Sequence, residues 1–308
     1  MDTETQLNRV IWMLWLQGFD KAPEVVRLCL RSWKTRNPTW QVIELDEENL
    51  SDYVDNESLS TLRGLDFMPQ KFANLIRLYL ISRHGGVWAD ATCYCCRPLD
   101  TWLPEYMNSG FFAFRFRTDT WLRRHADSGI SGLRKRAGTK ILANFFLAAS
   151  KGNSLASTFY EKHRDFFVDN KFPLQHTDEG RERVRRIGRV LNRNARVAQW
   201  WTLPLIARAA KVYPYNIFHY HFAKTIGENE TCRDVWNRTP TFYARGPLRL
   251  IRALVSPITD QQIDDLKQET EPLYKLTWKY RHEEFRSGCV LDYLLQSVPG
   301  SEQRRGDN

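Results

Sequence analysis

Residues 83–96, RHGGVWADATCYCC, place a single acidic residue in an apolar run that follows two glycines. Asp90 and Thr92 have the spacing of an acidic pair in which two carboxylates hold a divalent ion against a diphosphate. Oxygen ligands suit Mg²⁺ or Mn²⁺, and such an ion neutralises charge as a diphosphate leaves. Because Thr92 supplies a hydroxyl and no negative charge, the pair alone predicts weak metal binding.

A helix and a strand must position these two side chains. Residues 72–81 have helical length and are apolar nearly all round, and the double glycine supplies a stop, so they predict a buried helix. The alternation in residues 87–95 predicts a strand with Asp90 and Thr92 on one face. The acid would then lie near the carboxyl end of a strand, where open α/β sheets bind ligands.

Two polar residues, Asn74 and Arg77, interrupt the apolar surface of this helix. They are three apart and therefore share a face. A buried guanidinium is costly unless it is paired, so an anionic or hydrogen-bonding group must meet Arg77. Asp90 inside the core is one candidate for that partner, and a bound ligand is the other.

The order of the elements indicates the fold class. RVIWMLWLQG predicts a buried strand, a helix follows from about Pro23 to Asn37, and TWQVIEL predicts a second strand. Strand, helix and strand in this order favour an α/β layered sheet. Further along, SGFFAFRFR predicts a strand, ILANFFLAASKGN an apolar helix, and IFHYHF a strand with His219 and His221 on one face.

Length and composition predict one large globular domain. The chain has 308 residues, of which 42% are hydrophobic and 13% aromatic. We expect a flexible N-terminus over residues 1–9, one domain over 10–297 and a disordered tail over 298–308. No apolar run approaches the roughly 18 residues that span a bilayer, and the start lacks the basic region of a signal sequence, so we expect a cytoplasmic protein.

The net charge of +9 implies attraction to anions such as nucleic acid, acidic lipid or a phosphorylated substrate. Arginines are concentrated in residues 115–140 and 180–196, and apolar residues recur at helical spacing from Val184 to Leu191. A solvated helix face is the ordinary interpretation of these segments. A surface that binds a membrane or a polyanion is the alternative.

Three of the six cysteines are crowded together, and Cys93 and Cys96 form a C-x-x-C motif. Zinc or redox chemistry is one interpretation, but no second cysteine pair accompanies the motif, and it continues a strand instead of opening a helix. Buried reduced thiols are therefore expected. The signature motifs of dehydrogenases, kinases, zinc proteases and serine hydrolases do not occur in the sequence, which disfavours those functions.

Five segments resemble capsular polysaccharide synthesis proteins, relatives of the family 32 glycosyltransferases with their DXD sugar-binding region. In chain order they are IWMLWLQG, APEVVRLCLRSWKTRNP, FANLIRLYLISRHGGVWADAT, NFFLAASKGN and LYKLTWKY. The resemblance implies a GT-A fold, which is an α/β nucleotide-sugar-binding mixed sheet flanked by helices, here with helical and basic insertions. It also implies transfer of a sugar from a nucleotide donor, with retention of anomeric configuration in family 32.

The resemblance assigns roles to the residues around the double glycine. Asp90 matches the first aspartate of the DXD motif, and Thr92 stands where the last aspartate is expected. Arg77 matches an arginine that faces the donor sugar in the family. Asn74 occupies a position where aspartate is more usual, so it keeps a hydrogen-bond acceptor but loses a charge.

The base and ribose of the donor are expected at the end of the first strand, where Trp15, Gln17 and Gly18 match the family. The alternative for Trp12 and Trp15 is a place in the core, where large aromatic side chains are more often found.

Three later residues complete the implied site. Asn144 matches an asparagine of a later family segment, and Lys275 would steady the leaving phosphate. His221 aligns with a family histidine and would join Asp90 and Thr92 on the metal, Mn²⁺ or Mg²⁺. The family pattern after this histidine is broken here, and a satisfied core histidine is the alternative.

Three functions remain open at this point. The first is a metal-dependent glycosyltransferase of the hexosyl type that uses a UDP-sugar and a glycan or lipid-linked acceptor in capsular or surface polysaccharide synthesis. It would contact anionic lipid at the inner membrane face and bind no specific nucleic acid. The second is a basic module that binds nucleic acid or another polyanion. The third is a degenerate transferase homologue that binds the donor without turnover, as Thr92 and Asn74 suggest.

Overall fold

The structure, a computed structural model, describes residues 7–65, 69–116, 141–191 and 198–297. Most of the expected flexible N-terminus, most of the first arginine-rich segment and the whole expected tail lie outside these residues. So does the end of the second arginine-rich segment.

Most strands lie in the first half of the described chain and most helices in the second. The strands are β1 (Val10–Leu14), β2 (Gln41–Leu45), β3 (Gly86–Ala89), β4 (Cys93–Cys95), β5 (Phe111–Arg115), β6 (Leu142–Ala149) and β7 (Leu273–Lys275). The helices are α1 (Glu24–Arg36), α2 (Asn56–Arg63), α3 (Pro69–Arg83), α4 (Ser154–Val168), α5 (Asp178–Leu191), α6 (Pro204–Ala210), α7 (Ile217–Glu228), α8 (Glu230–Arg238), α9 (Asp260–Lys267) and α10 (Val290–Ser297). The strands and helices predicted for the first 45 residues are thereby confirmed.

Among the described residues, five strands form one mixed sheet in the order β2-β1-β3-β6-β5. β1 runs parallel to β2, and β5 runs antiparallel to β6 with a register irregularity between Ala113 and Arg115. The short strands β4 and β7 pair antiparallel in a separate two-stranded sheet. Helices flank the five-stranded sheet, so the prediction of a mixed α/β fold is confirmed.

The chain forms two compact units. The first contains the described residues between 48 and 87 and between 106 and 243, and in it α4 packs against α3, α7 and α8. The second contains residues 9–47, 88–105 and 244–297, and in it α1 packs against β4. The boundaries expected for a single domain stay a prediction.

The buried helix expected at residues 72–81 is confirmed as α3, and the double glycine ends it. Gly85 and Gly86 have φ values of 71° and 88°, in the left-handed region that favours glycine. A Cβ atom on Gly85 would lie 2.7 Å from the backbone nitrogen of Lys151. A side chain at this position would therefore be excluded both by the backbone conformation and by the close approach of a second segment.

Two secondary-structure predictions are wrong. ILANFFLAASKGN, predicted as a helix, contains strand β6, and IFHYHF, predicted as a strand, begins helix α7. β6 is buried on both faces, so its apolar residues form a continuous run without the alternation of a half-buried strand. α7 is also buried over most of its length, so its sequence lacks a polar stripe of helical period.

The segment after the double glycine is not one strand. β3 ends at Ala89, the amide of Cys93 donates a hydrogen bond to the carbonyl oxygen of Asp90 at 2.7 Å, and β4 follows this turn. The prediction that Asp90 and Thr92 share a face of one strand is therefore wrong, because a turn breaks the twofold alternation. Asp90 nevertheless follows directly on a strand of the five-stranded sheet, as predicted.

Candidate functional site

Asp90 lies at the end of β3 beside a cationic side chain. Its Oδ1 accepts a hydrogen bond from Trp88 Nε1 at 2.9 Å, and its Oδ2 accepts one from Lys275 Nζ at 3.0 Å. Lys275 Nζ also donates to Thr92 Oγ1 at 2.5 Å. One ammonium group therefore joins the two oxygen-bearing side chains that the sequence singles out.

The pairing of β4 with β7 brings Lys275 to this turn. Lys275 lies opposite Cys93 in the strand register, and the amide of Leu276 donates to the carbonyl oxygen of Thr92 at 2.7 Å. The side chains of Lys275 and Asp90 are 18% and 21% exposed. A ligand could therefore reach both charges while the strands stay paired.

The donor atoms of this site suit a hard divalent cation. Carboxylate and hydroxyl oxygens are ligands that Mg²⁺ and Mn²⁺ accept, and Asp90 and Thr92 already hold one positive charge, that of Lys275. Within the described ranges, no group of three or more His, Cys, Asp and Glu side chains is arranged to hold a metal ion. Asp90 and Thr92 could thus supply two of the ligands of a metal ion. A bound diphosphate would have to supply further oxygen ligands.

The residues expected to hold the base and ribose lie in the turn after β1. The amide of Trp15 donates to the carbonyl oxygen of Leu45, and the amide of Gly18 donates to that of Trp15 at 2.8 Å. Gly18 has a φ of 81°, so the turn depends on a residue that tolerates the left-handed region. Gln17 is exposed and Trp15 is half-buried, whereas Trp12 lies in the core.

A second tryptophan, which the sequence interpretation missed, extends this aromatic surface. Trp278 contacts Trp15 edge to face, with ring centroids 5.8 Å apart, and is 46% exposed. It borders an open cleft of about 600 Å³. The cleft is lined by Pro23, Trp278, Lys279, Tyr280, Arg281 and Glu284. Trp278 belongs to LYKLTWKY, and the run of aromatic and basic residues there was the signal that could have identified it.

A second group of residues predicted to belong to the site lies in the first compact unit. Arg77 is buried on α3, where its Nη1 donates to the carbonyl oxygen of Asn144 and its Nε to that of Ala73 at 3.3 Å. Asn144 Nδ2 lies 3.4 Å from Asn74 Oδ1. The structure thus brings Asn74, Arg77 and Asn144 together and gives the guanidinium the hydrogen-bonding partner that its burial requires.

His221 lies in the core of the same unit. Its Nδ1 is hydrogen-bonded to Nδ1 of His163 at 2.6 Å, and its ring contacts Phe166 with centroids 4.6 Å apart. Burial lowers the pKa of His221 to about 3, and burial with the charge of neighbouring basic groups lowers the pKa of His163 well below its usual value. Both rings are therefore neutral at physiological pH. A metal role for His221 stays a prediction.

The family model for capsular polysaccharide synthesis proteins matches residues 2–175, more than half of the chain. The matched residues include β1, α3, the double glycine, Asp90, Thr92 and Asn144. The chain belongs to the capsular polysaccharide synthesis protein family.

Three relatives of this family member are glycosyltransferases by name. The O-glycosyltransferase braB of Annulohypoxylon truncatum is 27% identical over 174 residues, which cover 50% of this chain and 36% of that protein. The putative glycosyltransferase HOC1 of Saccharomyces cerevisiae is 25% identical over 113 residues, which cover 35% of this chain and 28% of that protein. The glycosyltransferase afumC of Aspergillus fumigatus is 30% identical over 105 residues, which cover 30% of this chain and 27% of that protein. The matches thus span about a third of the length of these relatives.

Among solved structures, the PaToxG glycosyltransferase aligns with 86% of this chain and 86% of its own, at 10% identity and a TM-score of 0.36. A similarity at this level does not show that the two folds are the same.

The cysteines of this family member are buried thiols, as expected. Burial raises the pKa of Cys96, one of the two cysteines of the C-x-x-C motif, well above its usual value. Zinc binds the thiolate and not the thiol, so burial disfavours zinc binding by the C-x-x-C motif.

The buried histidine pair predicts a loss of stability in mild acid. The unfolded chain takes up protons on His163 and His221 as the pH falls below about 6.5, whereas the folded chain does not, because both folded pKa values are lowered. Near pH 5, each ring should therefore lower the free energy of unfolding by an amount approaching about 1.4 kcal/mol for each pH unit of acidification. In the variant His221→Leu, the contribution of one histidine to this pH dependence should be lost. Urea denaturation between pH 7 and pH 5 measures the free energy of unfolding.

Phe222, a buried ring that does not titrate and lies on the same helix as His221, provides the control for this measurement. The variant Phe222→Leu should keep the pH dependence of the unmodified protein. If His221→Leu kept it as well, the pair would not be held neutral by the fold.

Proposed function

We propose that this protein is a GT-A-type glycosyltransferase that moves a sugar from a nucleotide-diphosphate sugar to a glycan or lipid-linked acceptor, with retention of anomeric configuration. The observation that carries the proposal is the Asp90, Thr92 and Lys275 cluster, which follows directly on a strand of the sheet with its charges open to a ligand. Membership of the capsular polysaccharide synthesis family and the names of the three relatives support this class of reaction.

The charges of the Asp90 site suit a leaving diphosphate. When the sugar is transferred, the bond between its anomeric carbon and the phosphate oxygen breaks, and negative charge develops on the diphosphate. Lys275 would stabilise that charge through its ammonium group. Asp90 and Thr92 would hold Mn²⁺ or Mg²⁺, which supplies further positive charge to the diphosphate when it is bound.

We assign the sugar hydroxyls to Asn74, Arg77 and Asn144. A guanidinium carries five N–H donors in a fixed plane, and the two amide side chains add both donors and acceptors. The carbonyl oxygen of Asn144 fixes the orientation of Arg77, so its donors are preorganised. Hydroxyl groups of a hexose need such a set, since each both donates and accepts hydrogen bonds.

We assign the nucleotide base to the tryptophan pair Trp15 and Trp278. Trp278 presents an exposed ring beside Trp15, and Lys279 Nζ lies 5.4 Å from the centroid of that ring. Stacking of a base on an aromatic ring accepts any base, so the choice of UDP as the expected nucleotide derives from the family resemblance.

Lys275→Met should weaken binding of a nucleoside diphosphate about ten- to a hundredfold, because a hydrogen bond to a charged group contributes about 1.5–3 kcal/mol. Calorimetric titration with UDP and with GDP measures this effect. Lys267→Met, which removes an exposed lysine at the end of α9 in the same unit, is the matched control and should bind as the unmodified protein does. Unchanged affinity in Lys275→Met would remove the lysine from the phosphate site.

A cytoplasmic enzyme of this kind would meet a lipid-linked acceptor at the inner face of a membrane. The charge of +9 favours an anionic lipid surface. The same charge favours the second candidate function, a basic module that binds polyanions. That module has no use for Asp90 or Lys275, so the two candidates differ in their response to substitutions at the Asp90 site.

A further inference from the structure

The charge on helix α5 is unevenly compensated. Its first arginines are in ion pairs, which join Asp178 to Arg181, Glu179 to Arg183 and Glu182 to Arg185. Arg186 and Arg189 are exposed, and within the described part of the chain neither is in an ion pair. Val190, 61% exposed, lies four residues after Arg186 and one after Arg189. Arg186 therefore neighbours both Arg189 and Val190 on the helix surface, so the exposed surface around it is cationic with an apolar member.

Exposed apolar side chains lie on the elements that adjoin this helix. α5 packs against α6 and against the 3-10 turn Gln199–Thr202, and Arg183 Nη1 donates to the carbonyl oxygen of Ala210 at the end of α6. Trp200 is 48% exposed in that turn, and Leu205 is 78% exposed in the first turn of α6. Single exposed apolar residues are common on soluble proteins, but a group of them on adjoining elements marks an interaction surface.

We propose that the α5–α6 patch, formed by Arg186, Arg189, Val190, Trp200 and Leu205, docks on an anionic lipid bilayer. The arginines would contact headgroup phosphates, and the tryptophan and leucine would enter the boundary between headgroups and acyl chains. This inference does not depend on the proposed transferase activity. It assigns the membrane contact to specific residues and adds Trp200 and Leu205 to the arginine-rich segment that the sequence suggested.

The chemistry of the patch favours lipid over other anionic partners. Nucleic acid and acidic polysaccharides would pair with the arginines, but they offer no apolar phase for Leu205. Tryptophan is enriched where an apolar region meets water, and basic residues combined with tryptophan and leucine are typical of surfaces that lie in the membrane interface. Arg186 and Arg189 supply charge complementarity to phosphatidylserine and similar headgroups.

Sedimentation with vesicles tests the proposal. The unmodified protein should bind vesicles of phosphatidylcholine mixed with phosphatidylserine. Its affinity for vesicles of phosphatidylcholine alone should be lower by at least about tenfold. The double variant Arg186→Glu with Arg189→Glu should lose most binding at low salt. The double variant Trp200→Ser with Leu205→Ser should weaken the binding that survives added salt, because that part depends on apolar contact and not on charge.

Matched control variants lie elsewhere on the same unit. Lys171→Glu with Arg238→Glu changes the net charge by the same amount, and Val168→Ser removes another exposed apolar side chain. Both should bind vesicles as the unmodified protein does, and thermal unfolding should show every variant folded. If Trp200→Ser disturbs folding, Leu205→Ser alone decides the apolar contribution.

Three results would overturn the proposal. The first is an unmodified protein that does not sediment with anionic vesicles at low salt, and the second is unchanged binding by the folded patch variants. The third is equal loss of binding in the control variants, which would show that net charge alone is responsible. Donor turnover in solution is measured separately and should be unaffected by the patch variants, so failure of the transferase proposal would not be confused with failure of this one.

Discussion

Asp90→Asn should lower the rate of sugar transfer at least about a hundredfold while the protein remains folded. The amide keeps an oxygen for Trp88 Nε1 but loses the charge that holds Lys275 and would hold a divalent ion. Loss of this largely buried, charged hydrogen bond should cost about 1–3 kcal/mol of the free energy of unfolding. Release of nucleoside diphosphate from the donor and urea denaturation measure the two effects.

Asp100 provides the matched control for this variant. It also accepts a hydrogen bond from a tryptophan indole, that of Trp40, and it forms an ion pair with Arg9 in the same unit as Asp90. Asp100→Asn should therefore leave turnover unchanged. A folded Asp90→Asn protein with nearly normal turnover would show that the site has been assigned to the wrong carboxylate.

Arg77→Ala should weaken binding of the nucleotide sugar about ten- to a hundredfold and leave the affinity for the free nucleoside diphosphate nearly unchanged. The reason is the assignment of Arg77 to the sugar and of Lys275 to the phosphates. Because Arg77 is buried and bonded to the carbonyl oxygen of Asn144, the alanine variant should also lose about 1–3 kcal/mol of stability. Calorimetric titration with both ligands, below the unfolding temperature of the variant, separates the two effects.

Arg115 allows a purely structural loss to be recognised. It is also buried in the same unit, and it donates to the carbonyl oxygens of Trp236 and Thr239. Arg115→Ala should destabilise the protein comparably without a selective loss of sugar affinity. Equal losses for both ligands in Arg77→Ala would place this arginine on the phosphates or assign it to the core alone.

The parts of the fold that were predicted correctly are those with local signals. The first strand, helix and strand follow from a buried run, a proline at a helix start and a second apolar run. α3 follows from its length and from the double glycine. β6 was predicted as a helix and α7 as a strand because both are buried. A continuous apolar run does not distinguish a central strand from a buried helix.

The site could be predicted only where the chemistry is carried by neighbouring residues. Asp90 was identified by its position between a glycine turn and a cysteine-rich run. Its ion pair with Lys275 joins residues 185 positions apart and depends on the register of β4 with β7, which no local pattern specifies. The hydrogen bond between His163 and His221 and the contact of Trp15 with Trp278 were missed for the same reason.

The central claim is that this protein binds a nucleotide-diphosphate sugar at Asp90, and calorimetric titration with UDP- and GDP-sugars, with and without Mn²⁺, tests it most directly. At least one nucleotide sugar should bind the unmodified protein more tightly with Mn²⁺ than without it, and Asp90→Asn should lose that difference. The account would be contradicted if no nucleotide sugar bound the folded protein while a plain oligonucleotide bound it with a steep dependence on salt, as a polyanion-binding module would.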